Sequence, residues 1–195
     1  MLSAHPDIIG YMDGGTANGS YVASKMTLSP DGFTLEAYNN NGEKVFNENE
    51  LNCRIEVELE KYTKKIQIES RVLGDMAINH IVPTAVIYQN RLLENLRGLR
   101  ETFPTDEYEY LGAERRELVK EIQLHTMEIK KLVREMTEAR HIANRLSSQV
   151  EKAYSYQDSV SPYMEKIREH IDDLELEIDD EIWPLPKYRE LLFNK

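Results

Sequence analysis

Two patterns divide the chain. Over residues 1–49 no helical repeat is visible. Short apolar runs, SYVASKMTL and FTLEAY, lie between the turn signals DGG at 13–15, SPDG at 29–32 and NNNG at 39–42. Such punctuation predicts an irregular segment or a β-hairpin of two or three short strands, too few to bury both faces unless they pack on something else. From Glu50 onward the apolar positions recur at helical spacing. Leu51, Ile55, Leu59, Tyr62, Ile66, Leu73 and Met76 share one face, and Val57, Ile68 and Val72 widen it enough to imply more than one neighbour. Pro83 interrupts this segment. It donates no hydrogen bond and its ring clashes with the carbonyl of residue 79, so a kink is expected near Asn79–Val82. The face resumes through Val86, Leu93, Leu96 and Leu99 and ends near Phe103-Pro104.

A second segment carries a regular seam: Leu118, Ile122, His125, Ile129, Leu132, Met136, Ala139, Ala143, Leu146, Val150 and Ala153 alternate steps of four and three. Read as one helix from Thr105 to Gln157, it would be roughly 75–80 Å long. Thr105 is the expected N-cap, with Asp106 and Glu107 at the positive end of the dipole. A third segment opens with Ser161 as N-cap and Pro162 at the first helical position. It continues through Met164, Ile167, Ile171, Leu174, Ile178 and Ile182 until Pro184. The expected fold is mainly α, a bundle of three long antiparallel helices with the first one kinked. It divides into a turn-rich segment 1–49, a long-helix bundle 50–183, and a tail 184–195 that packs back on the bundle.

Charge narrows the function. The net charge is −11 and the pI about 5.0, which disfavours nucleic acid and anionic membrane surfaces as partners. No stretch approaches the apolar length that spans a bilayer, and the N-terminus has no secretory pattern. Cys53 is the one cysteine. It can form no internal disulfide and has only Arg54 as a cationic neighbour, so a reducing, cytoplasmic setting without thiol chemistry is expected.

Candidate chemistry is sparse. A Glu-x-x-His tetrad stands at Glu138–His141, but a carboxylate-bridged metal bundle needs two, and its neighbour Ala139 occupies the seam; a solvated helix face is the plainer reading. His125, inside the seam, reads as a partly buried, hydrogen-bonded core histidine rather than a pH-sensitive element. Arg71, Asp75, Asn79 and His80 cluster around Gly74 and the kink, either as a polar site or, as preferred here, to satisfy backbone freed by Pro83 while Gly74 permits close helix approach. MDGGTANGS has glycines but no phosphate-loop context. No catalytic, cofactor-binding or metal-ligating residue is therefore expected.

The last segment carries nine acidic residues between Glu165 and Glu181 against Lys166 and Arg168, with acids in the turn where the helix dipole favours bases. Lys187 and Arg189 are expected to fold back and compensate, while Trp183, Leu185, Leu191, Leu192 and Phe193 reach apolar surface.

That tail, DDEIWPLPKYRELLF at 179–193, resembles the C-terminal end of type III glutamine synthetases. ELEKYTKKIQIESRVLGDMAINHIVPTAVIYQNRLLENLRGL at 58–99 is similar to the segment following the catalytic core in that family. EARHIAN at 138–144 and SPYMEKIREHIDDLELEIDDE at 161–181 are similar to it as well. The resemblance covers about residues 50–193. It implies a helical C-terminal domain of a ring-forming ligase that joins ammonia to glutamate using ATP and magnesium. Its partners would be the synthetase catalytic core and neighbouring subunits in a homo-oligomer. The family's catalytic motifs have no match in residues 1–49, so none is carried over. The resemblance implies an assembly or regulatory module without ligase activity of its own; the alternative is a free-standing helical scaffold that oligomerises through the seam.

Overall fold

The computed structural model describes residues 21–29, 32–39 and 48–187. The turn signals at 13–15 and 39–42 lie wholly or partly outside the described residues. So do Arg189, Leu191, Leu192 and Phe193. The protein is mainly helical. Strand β1 (Tyr21–Ser29) pairs antiparallel with β2 (Gly32–Asn39), from Ser29 opposite Gly32 to Tyr21 opposite Asn39, with a register shift between Ala23 and Lys25. Helices follow: α1 (Glu48–Met76), α2 (Val82–Thr102), α3 (Thr105–Leu111), α4 (Ala113–Asn144), α5 (Gln149–Ser155) and α6 (Ser161–Glu177). Two π turns, Ala77–Ile81 and Tyr156–Val160, sit between α1 and α2 and between α5 and α6.

The described residues fall into two compact units: those up to Lys64 together with Ser147–Ala153, and Lys65–Leu146 together with Tyr154 onward. In the first, Ile55, Leu59 and Tyr62 form the buried face of α1, and Ala153 is fully buried. The second holds the larger core. Ile122, Ile129 and Met136 of α4, Ile167 and Leu174 of α6, and Ala77, Ile81 and Ala85 around the first π turn are essentially inaccessible. Each isoleucine, leucine or methionine among these contributes about 1.5–3 kcal/mol by leaving water, and each alanine less.

Both π turns immediately precede a residue-proline pair, Val82-Pro83 and Ser161-Pro162. The proline has no N–H to offer the carbonyl four residues back, and its ring would strike that carbonyl in an α-helix. Widening the turn by one residue relieves the clash. The N–H of Val82 then reaches Ala77 O, and that of Ser161 reaches Tyr156 O, each five residues back. Where a kink is expected near Asn79–Val82, the structure has a π turn over Ala77–Ile81. The extra residue has a consequence for phase. Counted on from Leu73 at 3.6 residues per turn, a regular helix would face inward near residues 84, 91, 95 and 98; the extra residue moves that face to Ala85, Leu92, Leu96 and Leu99. Val86 and Leu93, expected inside, are exposed at 40% and 48%. Ile68 and Val72, expected to meet a second neighbour, are exposed as well.

The single helix expected over 105–157 is broken twice. At Gly112 an added Cβ would lie 3.1 Å from Tyr108 O and 3.2 Å from Leu96 Cδ2, so only glycine fits without displacement. At 145–148 the helix ends, and Ser148 opens the next: its Oγ accepts from the Glu151 N–H at 3.4 Å. Ser148 and Glu151 have the spacing of a capping box, a start signal inside the apolar seam. Thr105 is not an N-cap; Pro104 takes that position and Thr105 is the first helical residue. Ser161 is not an N-cap either; Val160 takes that position, and the chain enters the helix at Ser161 directly from the second π turn.

Helix α6 also stops before Pro184. Ile178 is extended, and Asp179 Oδ1 accepts from the Glu181 N–H at 3.0 Å, a local turn that competes with the helix. Lys187 compensates the acidic end: its Nζ donates to the Glu175 carbonyl at 2.8 Å, pairs with the Asp180 carboxylate, and lies 5.9 Å from the Trp183 ring centroid. Trp183 itself is buried, with its Nε1–H unpartnered among the described residues.

Two stability measurements follow from this packing. Lys187→Met keeps the stem but removes three donors. It is expected to lower the urea unfolding free energy by about 1–3 kcal/mol, read by Trp183 fluorescence. At Gly74 the sequence suggests a close approach that a side chain would block, but an added Cβ meets Met136 Cε at 3.4 Å and Val133 Cγ1 at 3.5 Å, ordinary contact distances. Gly74→Ala is therefore expected to raise the urea midpoint, gaining about 0.5–1 kcal/mol of helix propensity.

Candidate functional site

Helices α4 and α6 bring together side chains that lie far apart in sequence. His125 occupies the seam of α4 between the fully buried Ile122 and Ile129, and His170 stands on α6 between Ile167 and Ile171. Their Nδ1 atoms are 3.0 Å apart, with ring centroids at 5.2 Å and planes inclined by 70°. One imidazole donates and the other accepts, so the pair requires opposite protonation at the two facing nitrogens. Asp173, one turn beyond His170 on the same helix face, places Oδ2 3.8 Å from His125 Nδ1. His125 is 20% exposed and Asp173 59%, so the cluster has an inner, imidazole end and an outer, carboxylate end. The three groups offer two ring nitrogens and a carboxylate oxygen within 4.8 Å of one another, a donor set that could hold a metal ion.

Acidic groups continue along the same groove. Glu121 lies one turn before His125 and Glu177 one turn after Asp173. Burial raises the Glu177 carboxyl above its usual pKa, and the charges of Glu121 and Asp173 add to the effect. Its Oε2 is enclosed and has no hydrogen-bond partner among the described residues. Asp172 points elsewhere, to Arg168 at 3.5 Å.

The residues singled out in the sequence are distributed differently. Glu138 and His141 are both exposed on α4. Arg71, Asp75 and Asn79 line an open cleft of about 570 Å³ with Arg140, while His80 is exposed outside it. Asn79 Nδ2 donates to Asp75 Oδ1 at 2.6 Å, so those two groups satisfy each other. Burial, and then the neighbouring Arg71 charge, lower the pKa of the Arg140 guanidinium. Cys53 is exposed. Beside this cleft the fully buried Tyr156 donates its hydroxyl to Asn144 Oδ1 at 2.8 Å, and its burial raises the phenol pKa.

Sequence reasoning found His125 on the seam but not its partners. The available signal was His170-x-x-Asp173, a one-turn spacing on the next segment. What was missing was the register that sets His170 opposite His125.

The sequence of the chain matches known proteins. Residues 32–100 match a family of enzyme C-terminal domains. That family is the glutamine synthetase C-terminal domain, and the chain carries such a domain. The chain is 66% identical over 154 residues to a glutamine synthetase of Bacteroides fragilis, covering 79% of this chain and 21% of that protein. It is 28% identical over 210 residues to a type-3 glutamine synthetase of Dictyostelium discoideum, covering 98% and 28%. A glutamine synthetase of Butyrivibrio fibrisolvens is 25% identical over 150 residues, covering 77% and 21%. The chain therefore spans between a fifth and somewhat over a quarter of the length of these relatives.

The crowded carboxyl at Glu177 predicts a pH dependence. Its folded pKa lies above the unfolded value near 4.5. The stability it contributes is present below pH 4.5, where the proton is bound in both states, and is lost as the pH rises through the raised folded value. In chelator-treated buffer, Glu177→Gln is expected to raise the urea midpoint at pH 7 and to lose that advantage as the pH falls toward 4. An equal advantage at both pH values would show that charge is not the cause.

Proposed function

We propose that this chain is the helical assembly module of a type III glutamine synthetase, and that ligase chemistry resides elsewhere in the parent enzyme. The observation that carries this reading is the 66% identity over 154 residues to a glutamine synthetase of which the match covers 21%. The type-3 name of the Dictyostelium relative supports the class. The parent reaction would be the ATP-dependent ligation of ammonia to glutamate, with magnesium. Neither nucleotide nor magnesium is assigned to residues of this chain.

The module would be an antiparallel bundle of three helical rods. Supporting contacts run in opposite senses along the chain: Gln67 meets Asn144 at 3.3 Å, Gly74 faces Val133 and Met136, and Gln89 reaches Val119 O and Gln123. With its core satisfied internally, the module keeps outward apolar positions for a partner. Ile68 (62% exposed) and Ile87 (53%) are the most open of these on the first rod. Their occupant is the synthetase core or a neighbouring subunit of the homo-oligomer, in the cytoplasm. No helix among the described residues is long and apolar enough to cross a membrane.

Two measurements test this. The purified chain, given glutamate, ammonia, ATP and magnesium, is expected to form no glutamine; measurable turnover would end the reading. In a full-length synthetase carrying this module, Ile68→Lys combined with Ile87→Lys is expected to shift light scattering toward smaller species. Unchanged assembly would remove the docking role.

A further inference from the structure

We propose that His125, His170 and Asp173 form a binding site for a divalent transition-metal cation, with zinc as the fitting ion, that ties α4 to α6.

The facing Nδ1 atoms are 3.0 Å apart. With metal–nitrogen bonds of about 2.0–2.1 Å, two ligands at right angles are separated by roughly 3.0 Å and two tetrahedral ligands by roughly 3.4 Å. The pair therefore spans adjacent ligand positions as it stands, or after opening by a few tenths of an ångström. Asp173 Oδ2, at 3.8 Å from His125 Nδ1, belongs to a side chain 59% exposed, free to swing the remaining distance. Two imidazoles and one carboxylate suit zinc and the neighbouring first-row divalent ions, leaving further positions to water.

The surroundings favour a cation. His125 interrupts an otherwise apolar stripe between Ile122 and Ile129, where a polar group is costly unless partnered. The next layer holds Glu121 and the enclosed Glu177 oxygen, and the crowding of carboxylates there makes the groove negative. Among the described residues no lysine or arginine pairs with Glu121, Asp173 or Glu177. A divalent ion would take the lone pairs of both Nδ1 atoms, fixing each proton on Nε2, and would replace one hydrogen bond by ligand bonds to both helices.

The test uses the full chain, stripped with chelator and titrated with zinc chloride, then with cobalt(II) chloride. One equivalent of zinc is expected to bind and raise the unfolding temperature, since an ion bound by the folded state alone stabilises it in proportion to its free concentration. Cobalt(II) is expected to give visible absorption bands that zinc displaces. His125→Asn and His170→Asn should each weaken zinc binding at least roughly tenfold. Asp173→Asn, at an exposed position that leaves the core intact, should weaken it in the same direction. His141→Asn and His80→Asn should leave it unchanged. Absence of stoichiometric uptake would overturn the proposal, leaving the histidines as a hydrogen-bonded pair. So would uptake that survives both Asp173→Asn and His170→Asn.

Discussion

Burial of one apolar seam between α4 and α6 is the constraint on which the rest depends. Ile122, Ile129 and Met136 on one side meet Ile167 and Leu174 on the other within a single cluster, almost wholly removed from water. Cys53 is the sole cysteine, so no internal disulfide supplements this packing. The seam fixes the register of the two helices, and that register sets every polar contact across them. Tyr156 reaches Asn144, and His125 meets His170, because the apolar side chains on either side interlock at one alignment.

Much of this was legible from spacing. The seam positions of α4 were visible as an unbroken alternation of steps, and the disturbance before Pro83 followed from a missing N–H. The tail lysine answering an acidic helix end followed from dipole arithmetic, and Lys187 sits on the Glu175 carbonyl. What periodicity could not supply was phase across a widened turn. Counting 3.6 residues per turn from Leu73 points to residues 84 and 91, and a π turn consumes one residue more, so Ala85 and Leu92 face inward rather than the Val86 and Leu93 expected from the sequence. Helix ends were missed where side chains compete locally with the backbone. Ser148 starts a helix and Asp179 folds a turn, and both lie inside stretches whose apolar spacing continues uninterrupted. The histidine pair was missed for another reason: it belongs to neither helix alone.

The glutamine synthetase C-terminal domain carried by this chain thus combines a closed core with open flanks. Its core polar groups are mostly internally answered, as with Ser70 donating to Gln67 O and Thr84 donating to His80 O. Its outward face does not follow the usual division into charged and apolar sides: Ile68, Val72, Ile87 and Leu93 stand among charged neighbours on α1 and α2. Scattered exposed apolar residues need no explanation; the succession of them along α1 and α2 is what the proposed docking role draws on.

The first π turn has an evolutionary corollary. It stores one spare residue in a helix that would otherwise be regular. Losing any one residue from Ala77–Ile81 would restore ordinary winding and leave everything beyond it in its present phase, because the widened turn already absorbs that residue's share of about 100°. Ala85 and Leu92 would still face inward and Val86 and Leu93 outward. A single-codon deletion there would therefore spare the packing downstream and be felt locally, at the proline whose ring would again meet the carbonyl four residues back.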